Sequence, residues 1–447
     1  MTFETCVVAA SQRWSTARSA SSFAAAILVM TLATPCPAAD WYSIGGYIKS
    51  FVVGFDPAEY KNADEAPPQE FIWANNNRAR VNAALYAREW LDFNLSYDLS
   101  LRIQDDALFE TNPFMVFQAL SIYRVDDLNL RIWPDDPGEG NHVALFQNLD
   151  RLYVAVRAPT FDVFVGRQAI AWGSAKAINP IDILAPFLYT EIDVEDRIGV
   201  DAARVRIPVG LLGEVDVGYV AGEGFKWEES AAFVRGKFYA GETDFALIGM
   251  AFRENALAGI DVTRAIGGAG TWCEAAYVWA DAFDGRTAES VDMDYLRLSV
   301  GADYSVASGV YTYLEYHFNG AGTNEPNDYL FNILSNPTAY AEGAVYFFGR
   351  HYLLPGASWQ VSPLTSLFVQ VLANLSDGSF LFAPYLEYNA TDNLYLSLGG
   401  YVAVGENPEA LILPFASNDG EDNVIPILNS EFGAYPTQYY AFLRYYF

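Results

Sequence analysis

Between Asp92 and Arg102 every second side chain is apolar. Phe93, Leu95, Tyr97, Leu99 and Leu101 alternate with Asp92, Asn94, Ser96, Asp98, Ser100 and Arg102. A helix would scatter these residues around its circumference, whereas an extended strand sorts them onto two faces. The same period of two returns at 295–306, where Leu296, Leu298, Val300, Ala302 and Tyr304 oppose Arg297, Ser299 and Asp303. It returns again at 394–404, with Leu396, Leu398 and Val402 opposite Tyr395, Ser397 and Tyr401. A chain that keeps this pattern from Trp41 to Phe447 is all-β.

Segments of this kind lie at 43–55, 78–90, 92–103, 149–158, 161–172, 198–208, 213–222, 228–240, 243–253, 256–266, 269–282, 294–307, 309–319, 345–361, 365–375, 380–390, 394–404 and 437–447. That makes about 18 strands, an even number as single-chain membrane barrels require. The segments at 243–253 and 256–266 are the least regular and Pro355 interrupts another, so 16 is the alternative count. Tight turns are expected near Leu91, Pro159, Gly241, Gly267, Ser308, Pro363 and Thr391, and long connections at 56–77, 104–148, 173–197, 320–344 and 405–436. Short turns on one side and long loops on the other predict a transmembrane antiparallel up-and-down β-barrel, with both termini on the short-turn, periplasmic side. A secreted sandwich would not alternate its connections so regularly, and no blade-length repeat supports a propeller. No composition break divides residues 40–447, and no separate plug precedes the first strand.

Composition closes off other classes. Apolar residues make up 52% and charged residues 18%, too apolar for a disordered acidic chain. No run of about 18 apolar residues supplies a membrane helix. Lys+Arg 26 against Asp+Glu 55, a net charge of −29, argues against nucleic acid, whose phosphates need a basic footprint. The first 39 residues read as a secretory leader: Arg13 and Arg18 precede the apolar run from Phe23 to Ala33, followed by Thr34-Pro35-Cys36-Pro37-Ala38-Ala39, with cleavage after Ala38 or Ala39. Pro35 directly before Cys36 argues against a lipid-modified cysteine. Cleavage leaves Cys273 alone, so no intramolecular disulfide is expected. Its neighbours Ala275, Tyr277 and Trp279 place it on an apolar strand face as an inert thiol.

In a membrane barrel the apolar face meets lipid and the polar face lines the interior. Parity then turns a basic set inward: Arg78, Arg80, Arg88, Arg102, Arg151, Arg157, Arg204, Arg206, Arg235, Lys237 and Arg297, most of them on the second to eighth strands. Asp92, Asp98, Glu214, Asp216, Glu274, Asp303, Glu315 and Glu387 are the inward acids. The segment 173–197 is a candidate constriction. It holds Ile181, Ile183, Leu184, Phe187, Leu188 and Tyr189, too apolar to lie in water, together with Asp182, Glu191, Asp193, Glu195 and Asp196. It is expected to lay its apolar residues on the inner wall and aim its carboxylates across the pore at the arginines.

Catalytic signals are missing. His142 and His351 fall in or near loops, and His317 shares a polar face with Glu315, Tyr313 and Tyr311, which reads as a solvated, pore-lining histidine. There is no nucleophile elbow, P-loop, HExxH or CxxC, and the Asp419–Asp422 run lacks the spacing of a twelve-residue calcium loop. No enzyme, cofactor or metal is expected.

The chain ends Thr-Gln-Tyr-Tyr-Ala-Phe-Leu-Arg-Tyr-Tyr-Phe, with Tyr439, Ala441, Leu443, Tyr445 and Phe447 on one face. This resembles the C-terminal signal of bacterial outer-membrane β-barrel proteins, and implies recognition by the barrel insertion machinery and residence in the outer membrane. A second run, Gly166-Arg167-Gln168, Trp172-Gly173, Asn179-Pro180-Ile181-Asp182, Glu195-Asp196-Arg197, Gly199-Val200-Asp201 and Pro208, is similar to segments of large, mostly uncharacterised Gram-negative outer-membrane barrels grouped loosely with porins. The expected function is passive diffusion of small hydrophilic solutes or ions. The alternative is a non-transport barrel for adhesion, assembly or export that binds a partner through its acidic loops; a barrel hydrolase comes third. Monomer and oligomer are both left open.

Overall fold

The computed structural model describes residues 41–62, 70–104, 123–134, 142–187, 189, 191–283, 293–306, 309–416 and 422–447. The expected leader at 1–39 lies outside them, as do 63–69 and 105–122 within two of the expected long loops.

Strands β1 (Tyr42–Asp56), β2 (Ile72–Arg88) and β3 (Leu91–Gln104) are followed by the short β4 (Leu130–Trp133), then by β5 (Val143–Arg157), β6 (Asp162–Gln168) and β7 (Val200–Val209). Next come β8 (Gly213–Ala221), β9 (Ala231–Ala240), β10 (Thr243–Phe252), β11 (Asn255–Ile266), β12 (Ala269–Trp279), β13 (Tyr295–Ser305) and β14 (Val310–Asn319). The last group is β15 (His351–Ser362), β16 (Thr365–Asn374), β17 (Phe380–Thr391), β18 (Leu394–Val404), β19 (Glu409–Ala416), β20 (Asp422–Ile427) and β21 (Thr437–Tyr446). Eighteen of these form one antiparallel ring, closed where β21 pairs with β18 on one side and with β1 on the other, from Tyr47↔Tyr446 to Asp56↔Thr437. Closure leaves the ring no open edge.

All eighteen strands of the ring correspond to segments expected from the alternation. The three others were not expected: β4 lies beside β5 at Leu130↔Gln147, and β19 and β20 form a separate hairpin. Some boundaries also move. β5 begins at Val143 instead of 149, because a bulge opposite Ser96 and Tyr97 inserts Asp150 and shifts the phase of the alternation. β2 begins at Ile72 instead of 78; Asn75, Asn76 and Asn77 are polar at both parities and hide its start. β6 stops at Gln168, and β15 starts at His351 instead of 345.

Exposure is inverted relative to a water-soluble protein. Val81, Leu95, Leu247, Val300 and Leu398 are exposed on the outer face, while Lys49, Arg80, Asp98, Asp216, Glu274 and Glu315 are buried within. Only a hydrocarbon solvent makes that arrangement favourable. Trp41, Trp90, Trp359 and Tyr388 are exposed near the short-turn end, as in an interfacial aromatic girdle. Short turns and both chain ends share that end of the ring. The other end carries the long connections, with two exceptions: β10 and β11 are joined there by Arg253 and Glu254 alone, with Arg253 at φ 52°, and β16 and β17 by residues 375–379. Inside, Ile170, Trp172, Ile178, Ile181, Ile183 and Leu184 form one apolar core with Ile248, Met250, Leu257 and Val278 of the wall.

Candidate functional site: a segment across the barrel interior

β6 and β7 are the shortened part of the wall, with Gln168 facing Val200 at the point where pairing stops. The chain therefore leaves the wall between them and turns inward. Gly173 permits the turn: its φ is +116°, and a Cβ there would lie 2.7 Å from Asn179 Oδ1 and from Glu274 Oε2.

Two buried carboxylates hold the segment to the far wall. Glu274 on β12 accepts the backbone N–H groups of Ser174 at 3.0 Å, Ala175 at 3.2 Å and Ile181 at 3.0 Å. Glu315 on β14 accepts those of Lys176 at 2.7 Å and Ile178 at 3.0 Å, and the indole N–H of Trp272 at 2.9 Å. Both are fully buried, so the backbone N–H groups satisfy carboxyl oxygens that water does not reach. Ser299 donates to the carbonyl of Ile178 and contacts His317 Nδ1 at 2.8 Å. His317 is therefore buried, not the solvated residue expected from parity, because the segment covers it.

The acidic end of the segment reaches the opposite wall. Asp193 lies 2.8 Å from Lys49 and 3.2 Å from Arg78; Glu195 lies 2.6 Å from Lys49 and accepts a hydrogen bond from Tyr446; Asp196 accepts one from Tyr47 at 2.6 Å and lies 3.6 Å from Arg80. Burial pushes the Asp193 carboxyl up, but the charges of Lys49 and Arg78 overcome this and hold it below the usual carboxylate range. These carboxylates do not face the basic wall across an open gap, as the sequence suggested. They close onto it. Asp182 pairs within the segment, with Arg197, and burial raises its pKa to about 6. The carbonyl of Glu191 accepts from Tyr401.

The basic wall is largely neutralised by its own strands. Asp98 meets Arg78 and Arg80, each at 3.0 Å, and Asp150 meets Arg80 at 2.8 Å and Arg151 at 2.7 Å. Arg204 pairs with Asp216, Arg206 with Glu214, Arg157 with Asp92, and Lys237 with Asp244 at 3.8 Å. Arg235 stands 4.0 Å from Glu214, and Arg102 lies over the ring of Phe146. Asp303 accepts from Tyr311 and lies 3.6 Å from Lys176. Arg88 lies outside this wall: a register shift after Tyr86 ends the alternation and leaves it exposed at the short-turn rim. Arg297 donates to the carbonyl of Gly343 and has no carboxylate partner among the described residues. At the chain end Tyr439 is exposed on the outer face, Leu443 and Tyr445 are half-buried on the same strand, and Phe447 bonds Gly46 through both backbone groups.

Sequence reasoning missed Lys49, Asp150 and Arg124, which donates to Asp150 and to the carbonyl of Gly199. The bulge at Asp150 breaks the parity rule, and β1 carries no clean alternation around Lys49. Arg124 sits in a long connection with no pattern to find it by.

The segment leaves two cavities along the β14–β18 side. One, of about 300 Å³, lies between Asn179, Asp182, Tyr189 and Tyr346; the other, of about 510 Å³, lies toward the short-turn end beside Tyr313, Tyr385 and Tyr440. Val194, Gln370 and Tyr401 border both.

No family model matches the sequence, and no curated protein matches it. Solved structures do match its shape. OpdK of Pseudomonas aeruginosa, solved with vanillate, aligns over 91% of this chain and 98% of its own at 9% identity and a TM-score of 0.51. OccAB2 of Acinetobacter baumannii aligns over 90% and 98% at 8% identity and 0.51. A BenF-like porin from Pseudomonas fluorescens aligns over 91% and 98% at 10% identity and 0.50. The chain has the porin fold. At such low identity the porin likeness concerns the path of the backbone, and the interior described above belongs to this chain's own side chains.

Proposed function

We propose that this chain is a bacterial outer-membrane channel for passive diffusion of small hydrophilic solutes or ions, with both termini in the periplasm. One observation carries the reading: the segment 173–197 crosses the interior, bound to Glu274 and Glu315 on one wall and to Lys49, Arg78 and Arg80 on the other. A ring of eighteen strands is wide enough to hold water, and a tethered segment narrows it without sealing it. The paired arginines hold the segment's acidic end, and the neighbouring cavities form the diffusion path. The aromatic C-terminal face serves as the insertion signal, and lipid is the partner of the outer surface.

Reconstitution into planar bilayers tests this. A channel gives discrete conductance steps in KCl, whereas a barrel that serves only adhesion or assembly gives none.

A further inference from the structure

The outer wall carries a groove near its short-turn end. Ile44, Ala83, Leu95 and Leu152 lie side by side across four strands, and the small Ala83 leaves a notch between larger neighbours. Trp41 borders the notch together with Leu85 and Phe93 of the next outward row, and the groove they form is almost wholly apolar, with a volume of about 480 Å³. A cation stands at its rim side. The β2–β3 ladder skips Ala87, so that Tyr86 faces Asp92 while Arg88 faces Leu91. Directly opposed residues of an antiparallel pair share a face, so this bulge turns Arg88 outward with Leu91 and Phe93. Leu91 follows Phe93 on that face at ~7 Å along the strand. Arg88 is exposed, donates to the carbonyl of Ala87 at 3.4 Å and has no carboxylate partner among the described residues, Glu89 of the same turn included. We propose that the groove and Arg88 form a binding site for one anionic phospholipid of the periplasmic leaflet, resting on the reading of a membrane barrel whose short turns face the periplasm.

Position and charge select the occupant. The groove faces hydrocarbon, so what fills it carries no unmet polar group along its length, as an acyl chain does. Arg88 stands beside the exposed Trp41 and Trp90, at the depth where tryptophans meet lipid headgroups and basic side chains meet phosphate. Its planar fork can bond two phosphate oxygens at once. The neighbouring Arg157 offers no such contact, because it faces inward and pairs with Asp92. A zwitterionic headgroup would set its own cation against the arginine, whereas an anionic one brings only the complementary charge. A second copy docked here about a two-fold axis would bring Arg88 of both chains to the same level of one interface and supply no phosphate between them. One phospholipid, with a chain in the groove and its phosphate at Arg88, meets both halves of the site.

Native mass spectrometry of the folded barrel, released from detergent, tests the site with phosphatidylglycerol and phosphatidylcholine titrated separately. One phosphatidylglycerol is expected to stay bound, preferred over phosphatidylcholine by about fivefold, the ratio that one basic side chain at a membrane surface gives an anionic lipid. Arg88→Gln should abolish that preference and Arg88→Lys should keep most of it. Ala83→Leu, which fills the notch, should lower retention of both lipids. Heat-modifiable gel mobility identifies the variants that fold. Equal retention of the two lipids by the wild type overturns the proposal, as does a preference that Arg88→Gln leaves intact or a retention that Ala83→Leu leaves unchanged. A dimer that sheds lipid as it forms and that Ala83→Leu breaks up overturns it in favour of a second copy. KCl conductance is read on the same preparations: steps without lipid preference remove this site alone, while lipid preference without steps removes the channel.

Discussion

Asp193 and Lys49 are 2.8 Å apart although 144 residues separate them, and Lys49 is wholly buried. The pair ties the interior segment to the first strand. Lys49→Met leaves Asp193 and Glu195 without their shared cation. The expected cost is about 3 kcal/mol, the lower end for removing one partner of a buried pair, because Glu195 is partly exposed. Urea unfolding in detergent should show the loss, and bilayer recordings should show a noisier and larger conductance. A variant as stable and as quiet as the wild type would mean that Arg78 alone holds the segment.

Shortening the segment between Asn179 and Glu191 removes the apolar residues that fill the interior, Ile181, Ile183 and Leu184 among them. Single-channel conductance is expected to rise well above wild type in a folded deletion variant. An unchanged value would place the narrowest point elsewhere.

Ion preference should follow the mouth. The arginines of the wall are mostly paired, so their field is short-ranged, while the final long loop carries Glu406, Glu409, Asp419, Glu421 and Asp422 with no Lys, Arg or His; its remaining acid, Glu431, is buried and accepts from Tyr352 and Asn374, so it does not add to the mouth. Reversal potentials should show mild cation selectivity that fades as salt shortens the screening length to about 3 Å at 1 M. Firm anion selectivity would assign control to the inner arginines.

Burial raises the Asp182 pKa to about 6, above its value in an unfolded chain. The folded state therefore takes up this proton more readily than the unfolded one. The group favours folding increasingly as pH falls from about 6 toward 4, and its ionisation costs stability above 6. Loss of its charge should also reduce cation preference, with a midpoint near pH 6 that vanishes in Asp182→Asn. A profile identical in wild type and variant would rule Asp182 out as the titrating group.

Ring closure predicts gel behaviour. The unheated protein should migrate faster than the boiled one in detergent and fractionate with the outer membrane, because a closed sheet has no edge from which to unravel. Recovery as a soluble periplasmic protein would refute the membrane reading.

Period two made the ring legible, and it did so wherever one face is uniformly apolar. It failed where the backbone departs from a regular strand. The bulge at Asp150 turned an acid and an arginine inward side by side, and no alternating pattern anticipates that. Composition showed that 173–197 could not lie in water, but not where its backbone would be caught, since the anchors Glu274 and Glu315 are distant in sequence. His317 was placed on the correct face and given the wrong environment for the same reason.

The ring closes where β1 meets β21, and the interior segment touches both of these strands: Lys49 and Tyr47 on one, Tyr446 on the other. Glu195 bridges the seam, bound to Lys49 and to Tyr446. The consequence is geometric. Strands from the two ends of the chain are held together by their backbone ladder and also by side chains of a segment that lies far from both in sequence, so a substitution at Glu195 touches the closure of the cylinder as well as its interior.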